Sequence, residues 1–351
     1  MFEHLLREWD GEEVALRYDA PTGAWMFVCV HSTVLGPAAG GTRLKVYSQP
    51  QDALRDGLRL SGAMTRKNAV AGLPLGGGKA VLAVQEIPSA ARRRELFLRY
   101  AELVEALGGT YVTACDMNTS ERDMDVVGEV TSHVMGRTVE GGGAGSSGPA
   151  TAVGVFHGLR ASVAHAFGSN DLSGRTVLIQ GIGAVGQVLA GLLAETGARL
   201  ILADVDEARA REAAVELGAG VVAPGDALRT ECDVLSPCAT GGVLTAETIP
   251  SLRCAVIGGA ANNQLGAPED ADRLAERGIL YAPDYVINAG GIIHLTSLEL
   301  LGEDEATRDA RLRAIAETLT ELFGMAEAEG ISTGAAAERL VELRLAEGRA
   351  R

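Results

Sequence analysis

Val177-Leu178-Ile179-Gln180-Gly181-Ile182-Gly183-Ala184-Val185-Gly186 is the stretch that decides the fold of this chain. Its apolar first half predicts a buried strand, and the residues that follow, Gln187–Thr196, have the composition of a helix. The glycines follow the pattern G-x-G-x-x-G. The first permits a tight turn, the second lets a ligand approach the backbone, and the third lets the helix pack against the strand. The stretch therefore predicts the first strand, turn and helix of a dinucleotide-binding Rossmann domain.

The next predicted strand, Leu200–Ala203, ends at an acidic residue, Asp204, 18 positions after Gly186. A carboxylate at this place accepts hydrogen bonds from a ribose 2′-hydroxyl group and repels a 2′-phosphate, which favours NAD over NADP. The alternative is that the glycines serve an ordinary turn and that Asp204 ends a strand. We expect the cofactor to contact Gly181, Gly183, Ala184, Val185, Gly186 and Asp204.

Strands and helices alternate through the second half of the chain, which predicts a parallel, doubly wound sheet. The predicted elements are a helix at Thr151–Phe167, strands at Thr176–Gln180 and Leu200–Ala203, a helix at Glu207–Leu217, and short strands at Gly220–Val222, Val234–Leu235 and Ala255–Ile257. The first half mixes strand-like runs at Trp25–Val30 and Thr110–Ala114 with a helical pattern at Arg92–Ala106, which predicts a separate α/β domain.

The glycine-rich segment Gly141–Pro149 is unsuited to helix or strand and predicts a hinge or a ligand-facing loop between the two domains. We place the first domain at residues 1–148 and the second at 149–327. The tail from Glu305 is rich in Ala, Leu, Glu and Arg and therefore helical. We expect a C-terminal helix of about residues 328–351 to pack against the first domain.

Composition narrows the class of protein. A chain of 351 residues with 47% hydrophobic residues can bury the cores of two domains. Its 46 acidic and 31 basic residues give a net charge of -15 and no basic cluster, which argues against nucleic acid as a partner. The N-terminus lacks the pattern of a signal peptide, and no apolar stretch is long enough for a membrane span, so we expect a cytoplasmic protein without membrane contact. Five cysteines without a C-x-x-C spacing predict neither disulfides nor a metal site.

Two lysines in the first half are candidates for chemistry. Lys67 and Lys79 stand twelve residues apart, and Lys79 follows Gly76-Gly77-Gly78 at the start of the apolar run Val81–Val84. A phosphate loop is one alternative, but the spacing and the hydroxyl residue of a P-loop are missing. A surface lysine after a turn is the other. If Lys79 is buried beside another cation, its pKa falls and it can act as a base near neutral pH.

Asp116 follows the predicted strand Thr110–Ala114. Taken alone, it fits an Asx turn or a cap for a helix at Ser120–Val130 equally well or better.

In combination, these segments resemble the glutamate/leucine/phenylalanine/valine dehydrogenase superfamily over nearly the whole chain. The resemblance rests on the Lys67 to Lys79 segment, the glycine turn, and five further elements: Gly40-Gly41-Thr42-Arg43, Asp116-Met117-Asn118-Thr119, Pro237–Val243, Gly259–Asn263 and Tyr281–Gly291. It implies a two-domain amino-acid dehydrogenase fold, with an N-terminal α/β domain, a C-terminal Rossmann NAD-binding domain and a cleft between them. It also implies a homo-oligomer.

The resemblance further implies reversible oxidative deamination, in which an L-amino acid, NAD+ and water give a 2-oxo acid, ammonia and NADH. Lys67 and the Gly40-Gly41 backbone then bind the substrate carboxylate, Lys79 is the general base, and Asp116 carries protons to and from the amino group. Thr151 and Asn262 resemble positions that hold the carboxamide of the cofactor or the substrate carboxylate. Ala239 is expected at the cofactor, and Asn288 at the border of the substrate pocket.

The substrate side chain is expected to contact Met64, Ile292 and Leu295. Gly142–Ser147 and Ile293-His294-Leu295 resemble the phenylalanine dehydrogenase branch, so L-phenylalanine is the expected substrate. Leucine, valine and tryptophan dehydrogenases of the same superfamily are the alternatives. A non-catalytic NAD-binding protein is a further one, and the presence of Lys67, Lys79 and Asp116 argues against it. A hydroxy-acid dehydrogenase is disfavoured because such enzymes typically use an arginine and a histidine.

Overall fold

The computed structural model of the protein describes residues 2–350, which form two units. The first unit runs to Ser146 and also contains Leu295–Asp304 and the residues from Leu343 onwards. The second contains Ser147–His294 and Glu305–Glu342. This division differs from the sequence-based boundaries, because the chain returns to the first unit at Leu295 and again at Leu343. The latter return is held by Arg344, whose Nη1 donates to the carbonyl oxygen of Ala69 at 2.9 Å.

The first unit contains a five-stranded mixed sheet in the order β1-β2-β4-β3-β5. β3 pairs in parallel with both β4 and β5, while β2 pairs antiparallel with β1 and β4. The strands are β1 (Glu13–Asp19), β2 (Ala24–Ser32), β3 (Ala38–Val46), β4 (Gly76–Val84) and β5 (Tyr111–Cys115). The helices are α1 (Glu3–Glu8), α2 (Pro50–Val70), α3 (Ala90–Ala106) and α4 (Glu121–Val127).

Local sequence explains how two of these helices begin. α2 has a proline in its first turn, where the missing N–H group costs nothing. α4 begins with a capping box, in which Ser120 and Asp123 satisfy each other's backbone N–H groups. Asp116 is therefore not the cap of this helix. One face of the sheet packs on a core that includes Met26, Phe97, Tyr100, Tyr111 and Met124.

The second unit contains a six-stranded sheet in the order β11-β10-β9-β6-β7-β8, with every pair parallel. Read from β8, this is the 3-2-1-4-5-6 order of a Rossmann fold, which confirms the predicted fold class. Its topological switch point lies between β6 and β9. The strands are β6 (Thr176–Gln180), β7 (Arg199–Ala203), β8 (Gly220–Val221), β9 (Val234–Pro237), β10 (Val256–Ile257) and β11 (Leu280–Tyr281).

The remaining helices begin and end at residues that suit those positions. α5 has Pro149 in its first turn and ends at Gly168, and α7 is capped by Asp206 and ends at Gly218; both glycines have positive φ angles. These helices are α5 (Gly148–Phe167), α6 (Ala184–Ala194), α7 (Glu207–Leu217), α8 (Asp270–Glu276), α9 (Asp284–Ile287), α10 (Gly290–Leu295), α11 (Glu305–Glu329) and α12 (Thr333–Arg349). Among the helices of the described residues, none combines the length and apolarity needed to cross a lipid bilayer.

Candidate active site

The three glycines before Lys79 belong to strand β4 and do not form a flexible loop, which corrects the sequence interpretation. A Cβ atom on Gly76 would collide with the carbonyl oxygen of Ser32, and one on Gly77 with the backbone nitrogen of Thr65 in α2. On Gly78 it would lie 2.8 Å from the ring of Tyr111. Each glycine is therefore required by a different neighbour. A phosphate loop is excluded because the segment is an extended strand.

Lys79 and Asp116 meet in the first unit. β3 lies between their strands, and Thr42 pairs with Ala80 on one side and Cys115 on the other. The lysine comes one residue before the level of Thr42 and the aspartate one residue after it, and their side chains converge across β3. Lys79 Nζ lies 3.2 Å from Asp116 Oδ2. Lys79 is only 5% exposed, so it is not a surface lysine.

A third charged group completes this arrangement. Arg43 Nε donates to Asp116 Oδ2 at 3.0 Å, the same oxygen that faces Lys79. Sequence reasoning quoted Arg43 only as part of the Gly-Gly-Thr-Arg element and assigned it no role. The signal that could have identified it is the pairing of β3 with β5, which brings residue 43 level with the residue after Cys115. The neighbouring cation that lowers the pKa of Lys79 is therefore Arg43.

The pKa values of Lys79 and Asp116 are both lowered in this cluster, which favours the neutral form of the lysine and the charged form of the aspartate. Burial is the largest influence on Lys79 and lowers its pKa; Asp116 opposes this effect and Arg43 adds to it, so the pKa lies below the ordinary value for lysine. Burial tends to raise the pKa of Asp116, but the charges of Lys79 and Arg43 outweigh it and bring that pKa down to about 2. Asp116 is consequently an anion at neutral pH, and Lys79 loses its proton more easily than an ordinary lysine.

Four other predicted substrate contacts of the first unit lie on β3 and α2, namely Gly40, Gly41, Met64 and Lys67. A Cβ atom on Gly41 would lie 2.8 Å from Cβ of Asp116, and one on Gly40 would lie 3.2 Å from Cγ of Met64. The space beside both glycines is filled by neighbouring protein atoms, so the missing side chains let β3 pack closely against these neighbours. Lys67 is half-buried in the last turn of α2, three residues after Met64, where the helix dipole favours a cation.

Leu295 lies near the end of β5. A Cβ atom on Gly136 would lie 3.4 Å from Leu295 Cδ1 and 3.6 Å from Cys115 Sγ, so both side chains border this glycine. Glu299, in the π-helical segment Thr296–Leu300, accepts hydrogen bonds at 3.0 Å from the backbone N–H groups of Gly136 and Ala144. The glycine-rich loop is thus anchored at Ala144. Glu299 is a second structural residue that sequence reasoning missed.

The glycine turn of the second unit has the geometry that a dinucleotide requires. Gly181 has a φ of +103° and packs against Ala239, whose Cβ would lie 2.7 Å from a Cβ on Gly181. A Cβ atom on Gly186 would collide with the carbonyl oxygen of Gly181, whereas the space beside Gly183 is open. Ala184 and Val185 begin α6, whose N-terminal N–H groups suit a pyrophosphate.

Asp204 lies directly beside this turn. Its Oδ2 accepts a hydrogen bond from Ile182 N at 2.6 Å and its Oδ1 accepts one from Asp206 N at 2.8 Å. Arg209 Nη1 approaches Oδ2 at 3.8 Å. An ionised carboxylate has about four acceptor sites, so these contacts leave capacity for ribose hydroxyl groups.

The predicted polar residues of the second unit form two contacts. Asn288 Nδ2 donates to Asn262 Oδ1 at 2.9 Å, and Asn288 is 5% exposed. A Cβ atom on Gly291 would lie 2.8 Å from Thr151 Oγ1, so Thr151 at the start of α5 borders the segment that contains Asn288. Ile292 is half-buried in α10. His294 is buried and hydrogen-bonded to Arg308, as expected for a packed histidine.

Three buried acceptors in the second unit have no hydrogen-bond partner among residues 2–350: Gln180 Oε1, directly before the glycine turn, Gln264 Oε1 and Asn288 Oδ1. Such orphaned acceptors are costly unless a ligand supplies a donor. Together with the open space at Gly183, they fit a dinucleotide. No group of three or more His, Cys, Asp or Glu residues within the described chain could hold a metal ion.

Comparisons with known proteins agree with this geometry. The family described as "Glu/Leu/Phe/Val dehydrogenase, dimerisation domain" matches residues 20–133. The family described as "Glutamate/Leucine/Phenylalanine/Valine dehydrogenase" matches residues 142–207 and 202–340. The chain belongs to this family. It is an NAD-dependent amino-acid dehydrogenase, an oxidoreductase acting on CH–NH2 donors.

Three individual proteins illustrate the likeness. Leucine dehydrogenase of Geobacillus stearothermophilus is 40% identical over 345 residues, which cover 98% of this chain and 93% of the relative. Valine dehydrogenase of Streptomyces virginiae is 44% identical over 341 residues, covering 96% and 94% of the two chains. The crystal structure of L-tryptophan dehydrogenase from Nostoc punctiforme superposes with a TM-score of 0.86 at 36% identity and covers 100% of both chains.

Proposed function

We propose that the protein catalyses the NAD-dependent, reversible oxidative deamination of a branched aliphatic L-amino acid, leucine or valine, to its 2-oxo acid and ammonia. The observation that carries this proposal is the buried Lys79–Asp116 ion pair beside Arg43. It supplies a lysine with a lowered pKa and a carboxylate that is ionised at neutral pH in one place. Amine oxidation followed by hydrolysis requires both a base and a group that exchanges protons with the amine.

In this proposal, each candidate residue of the first unit has its own role in the reaction. The Lys67 ammonium binds the substrate carboxylate by a charge-assisted hydrogen bond, with the backbone of Gly40 and Gly41 alongside. Asp116 accepts a proton from the substrate ammonium group and later returns one to the departing ammonia. Lys79, in its neutral form, removes a proton from the water that attacks the iminium carbon. The buried position of Lys79 keeps this base desolvated.

The second unit holds the cofactor. The glycine turn Gly181–Gly186 and Asp204 bind the pyrophosphate and the adenosine ribose, respectively. Thr151, Ala239, Asn262 and Asn288 line the nicotinamide end, where Asn288 Oδ1 is an acceptor in need of a donor. NAD+ bound there would supply the acceptor for the hydride of the substrate Cα.

An aliphatic substrate is better supported than phenylalanine, the substrate expected from the sequence. Several relatives that cover at least nine-tenths of this chain are named leucine or valine dehydrogenases. Met64 and Leu295, the expected side-chain contacts of the first unit, are large flexible or branched side chains that leave less room for a substrate than smaller residues do. Tryptophan is the second candidate, because the tryptophan dehydrogenase from Nostoc punctiforme matches along its full length.

The test is NAD-linked oxidation of a panel of L-amino acids at alkaline pH, followed by NADH absorbance. We expect the largest kcat/KM with valine or leucine, lower values with phenylalanine and tryptophan, and none with the D-enantiomers. A Lys79→Ala variant that binds NADH normally serves as the control for background turnover. A clear preference for an aromatic substrate would contradict the aliphatic assignment. If no amino acid is oxidised, the proposed amino-acid dehydrogenase activity is contradicted.

The protein is also proposed to be a homo-oligomer. The description of the matched N-terminal family names a dimerisation domain. Sedimentation velocity at micromolar concentration measures the mass directly, and a species of 36.4 kDa alone would contradict this proposal.

A further inference from the structure

Arg43 connects the Lys79–Asp116 pair to a second carboxylate, Asp56, which lies in the middle of α2. Arg43 Nε contacts Asp116 Oδ2 at 3.0 Å, and Arg43 Nη1 contacts Asp56 Oδ2 at 2.9 Å. We propose that Asp56 and Arg43 form a positioning pair that fixes the Asp116 carboxylate against Lys79 for the reaction. The inference rests on the proposed function, and it assigns Asp56 a role in catalysis although the residue touches neither substrate nor cofactor.

The surroundings of Asp56 support this role. Tyr47 donates its hydroxyl proton to Asp56 Oδ2 at 2.7 Å, and Arg59 Nη2 donates to Asp56 Oδ1 at 3.0 Å. The side chains of Asp56 and Arg43 are each 15% exposed. Three donors therefore hold a mostly buried carboxylate in one orientation, unlike the mobile ion pairs of a protein surface.

The geometry of arginine explains why this residue type stands here. A guanidinium group is planar and presents its N–H groups in a fixed fork, so one arginine can bind two carboxylates at a defined angle. When Asp56 fixes one side of the fork, the other side determines where Asp116 Oδ2 lies. A lysine at this position has a compact ammonium group and could not hold both carboxylates in the same way.

The charges of the cluster agree with the same arrangement. Arg43 and Arg59 balance Asp56 and Asp116, so the cluster is neutral when Lys79 has lost its proton and carries one excess positive charge when Lys79 is protonated. This charge balance agrees with the lowered pKa of Lys79. Asp56 and Arg43 influence this lysine in opposite directions, because the carboxylate raises its pKa and the guanidinium lowers it.

After burial, the largest influences on the pKa of Lys79 come from Asp116, Arg43 and Asp56. Its neighbour in register on β2 is Cys29, whose pKa is raised to about 12 by burial, so the thiol is uncharged at working pH. The remaining titratable or charged groups on the elements packed around β4 are His31 on β2, Lys45 on β3, Tyr111 and Cys115 on β5, and Asp52, Arg55, Arg66 and Lys67 on α2, with Tyr47 directly after β3. Lys67 lies eleven residues after Asp56, about 16 Å along the helix by its rise per residue.

The experiment compares Asp56→Asn with Asp52→Asn. Both substitutions remove one carboxylate charge from α2, but Asp52 forms only an exposed pair with Arg55 three residues away. We expect Asp56→Asn to lower kcat about 100-fold, the loss typical of a misplaced catalytic group, with a small change in KM. Asp52→Asn should retain wild-type kcat. Circular dichroism and NADH fluorescence establish that both variants are folded and bind cofactor.

The pH profile separates positioning from a structural defect. In Asp56→Asn the acid limb of kcat should move to lower pH, because a charge that raises the pKa of Lys79 is gone. In Arg43→Gln it should move to higher pH, because a charge that lowers that pKa is gone. A merely structural role predicts no such opposite movement. Arg43→Lys retains the charge but loses the fork, so it should lower kcat, and it provides a test if Asp56→Asn does not fold.

A double-mutant cycle completes the test. If Asp56 acts through Arg43, Asp56→Asn should have almost no further effect on kcat in the Arg43→Gln background. The positioning pair is overturned if the effects of the two substitutions on kcat are fully additive, or if Asp56→Asn has the same kcat as Asp52→Asn. Failure of the wild-type protein to oxidise any amino acid overturns the proposed function instead, so the two failures are distinguishable.

Discussion

Gly41 makes room for the side chain of Asp116, the ion-pair partner of Lys79. β3, which carries Gly41, lies between the strand of Lys79 and the strand that ends just before Asp116, and Lys79 Nζ approaches Asp116 Oδ2 to 3.2 Å. A Cβ atom here would lie 2.6 Å from the carbonyl oxygen of Cys115 and 2.8 Å from Cβ of Asp116. The ion pair thus depends on an absent methyl group.

We therefore expect Gly41→Ala to displace Asp116. Overpacking of this kind costs about 1–3 kcal/mol, so the melting temperature should fall, and kcat should fall with it. Gly191→Ala is the matched control, since Gly191 lies inside α6 with open space at its Cβ position. It should leave kcat unchanged and stabilise the helix by up to about 1 kcal/mol. Normal activity in Gly41→Ala would show that the missing side chain at position 41 is not required.

Lys79→Gln tests the base. Loss of a general base lowers kcat about 10²–10⁴-fold, while NADH binding, measured by fluorescence, should persist. In the wild-type enzyme kcat should rise with pH through the lowered pKa of Lys79, and this limb should vanish in the variant. Lys45→Gln removes an exposed lysine from the neighbouring strand β3 and should leave both kcat and the limb intact.

Asp116 should contribute to stability in a pH-dependent way. Its folded-state pKa of about 2 lies below the ordinary value of 3.8, so its contribution is present above pH 3.8 and is lost as the pH falls towards 2. The difference corresponds to about 2 kcal/mol. Urea unfolding at pH 6 and at pH 2.5 should show the free energies of wild type and Asp116→Asn converging in acid. A gap that stays constant would contradict the lowered pKa.

Cofactor choice should depend on Asp204. Asp204→Asn removes the charge that repels a 2′-phosphate, while Arg209 nearby offers a positive charge to one. We expect KM for NAD to rise about tenfold and NADP to become a detectable substrate, because one strong charged hydrogen bond is worth about 1.5–3 kcal/mol. Glu207→Gln, on the exposed start of α7, is the control. Unchanged selectivity in Asp204→Asn would remove this residue from the ribose site.

Substrate choice should respond to Leu295. Leu295→Ala enlarges the space beside Gly136, so kcat/KM for phenylalanine should rise relative to valine; each methylene group in a pocket is worth about 10–200-fold. Leu300→Ala, in the π-helical segment that directly follows Leu295 but exposed, is the control. If the ratio of the two substrates is the same in Leu295→Ala and wild type, Leu295 does not line the pocket.

The Rossmann sheet was accessible to sequence analysis because its signals are local. The strand Thr176–Gln180 and the helix Glu207–Leu217 have the predicted bounds, since apolar runs and caps mark them directly. The first unit was harder. Gly76-Gly77-Gly78 has the composition of a loop, and its strand conformation is imposed by Ser32, Thr65 and Tyr111, which are distant in sequence.

The same distinction applies to the site. Lys79 and Asp116 could be identified from motifs, but the roles of Arg43 and Asp56 depend on how β3 pairs with β5 and how α2 packs on the sheet. Neither relationship has a local signal. The hydrogen bond between Gly136 and Glu299 joins positions 163 residues apart, and it likewise has no signal in the local sequence.

The three glycines of β4 also determine how this enzyme can change. A strand whose Cβ positions are filled by other parts of the protein tolerates almost no substitution. Variants at Gly76, Gly77 and Gly78 should therefore be almost absent from any mutational library selected for function. Met64 and Leu295 lie on other elements and carry ordinary side chains. New substrate preferences should therefore arise by exchange at those two positions, while the strand that presents Lys79 remains as it is.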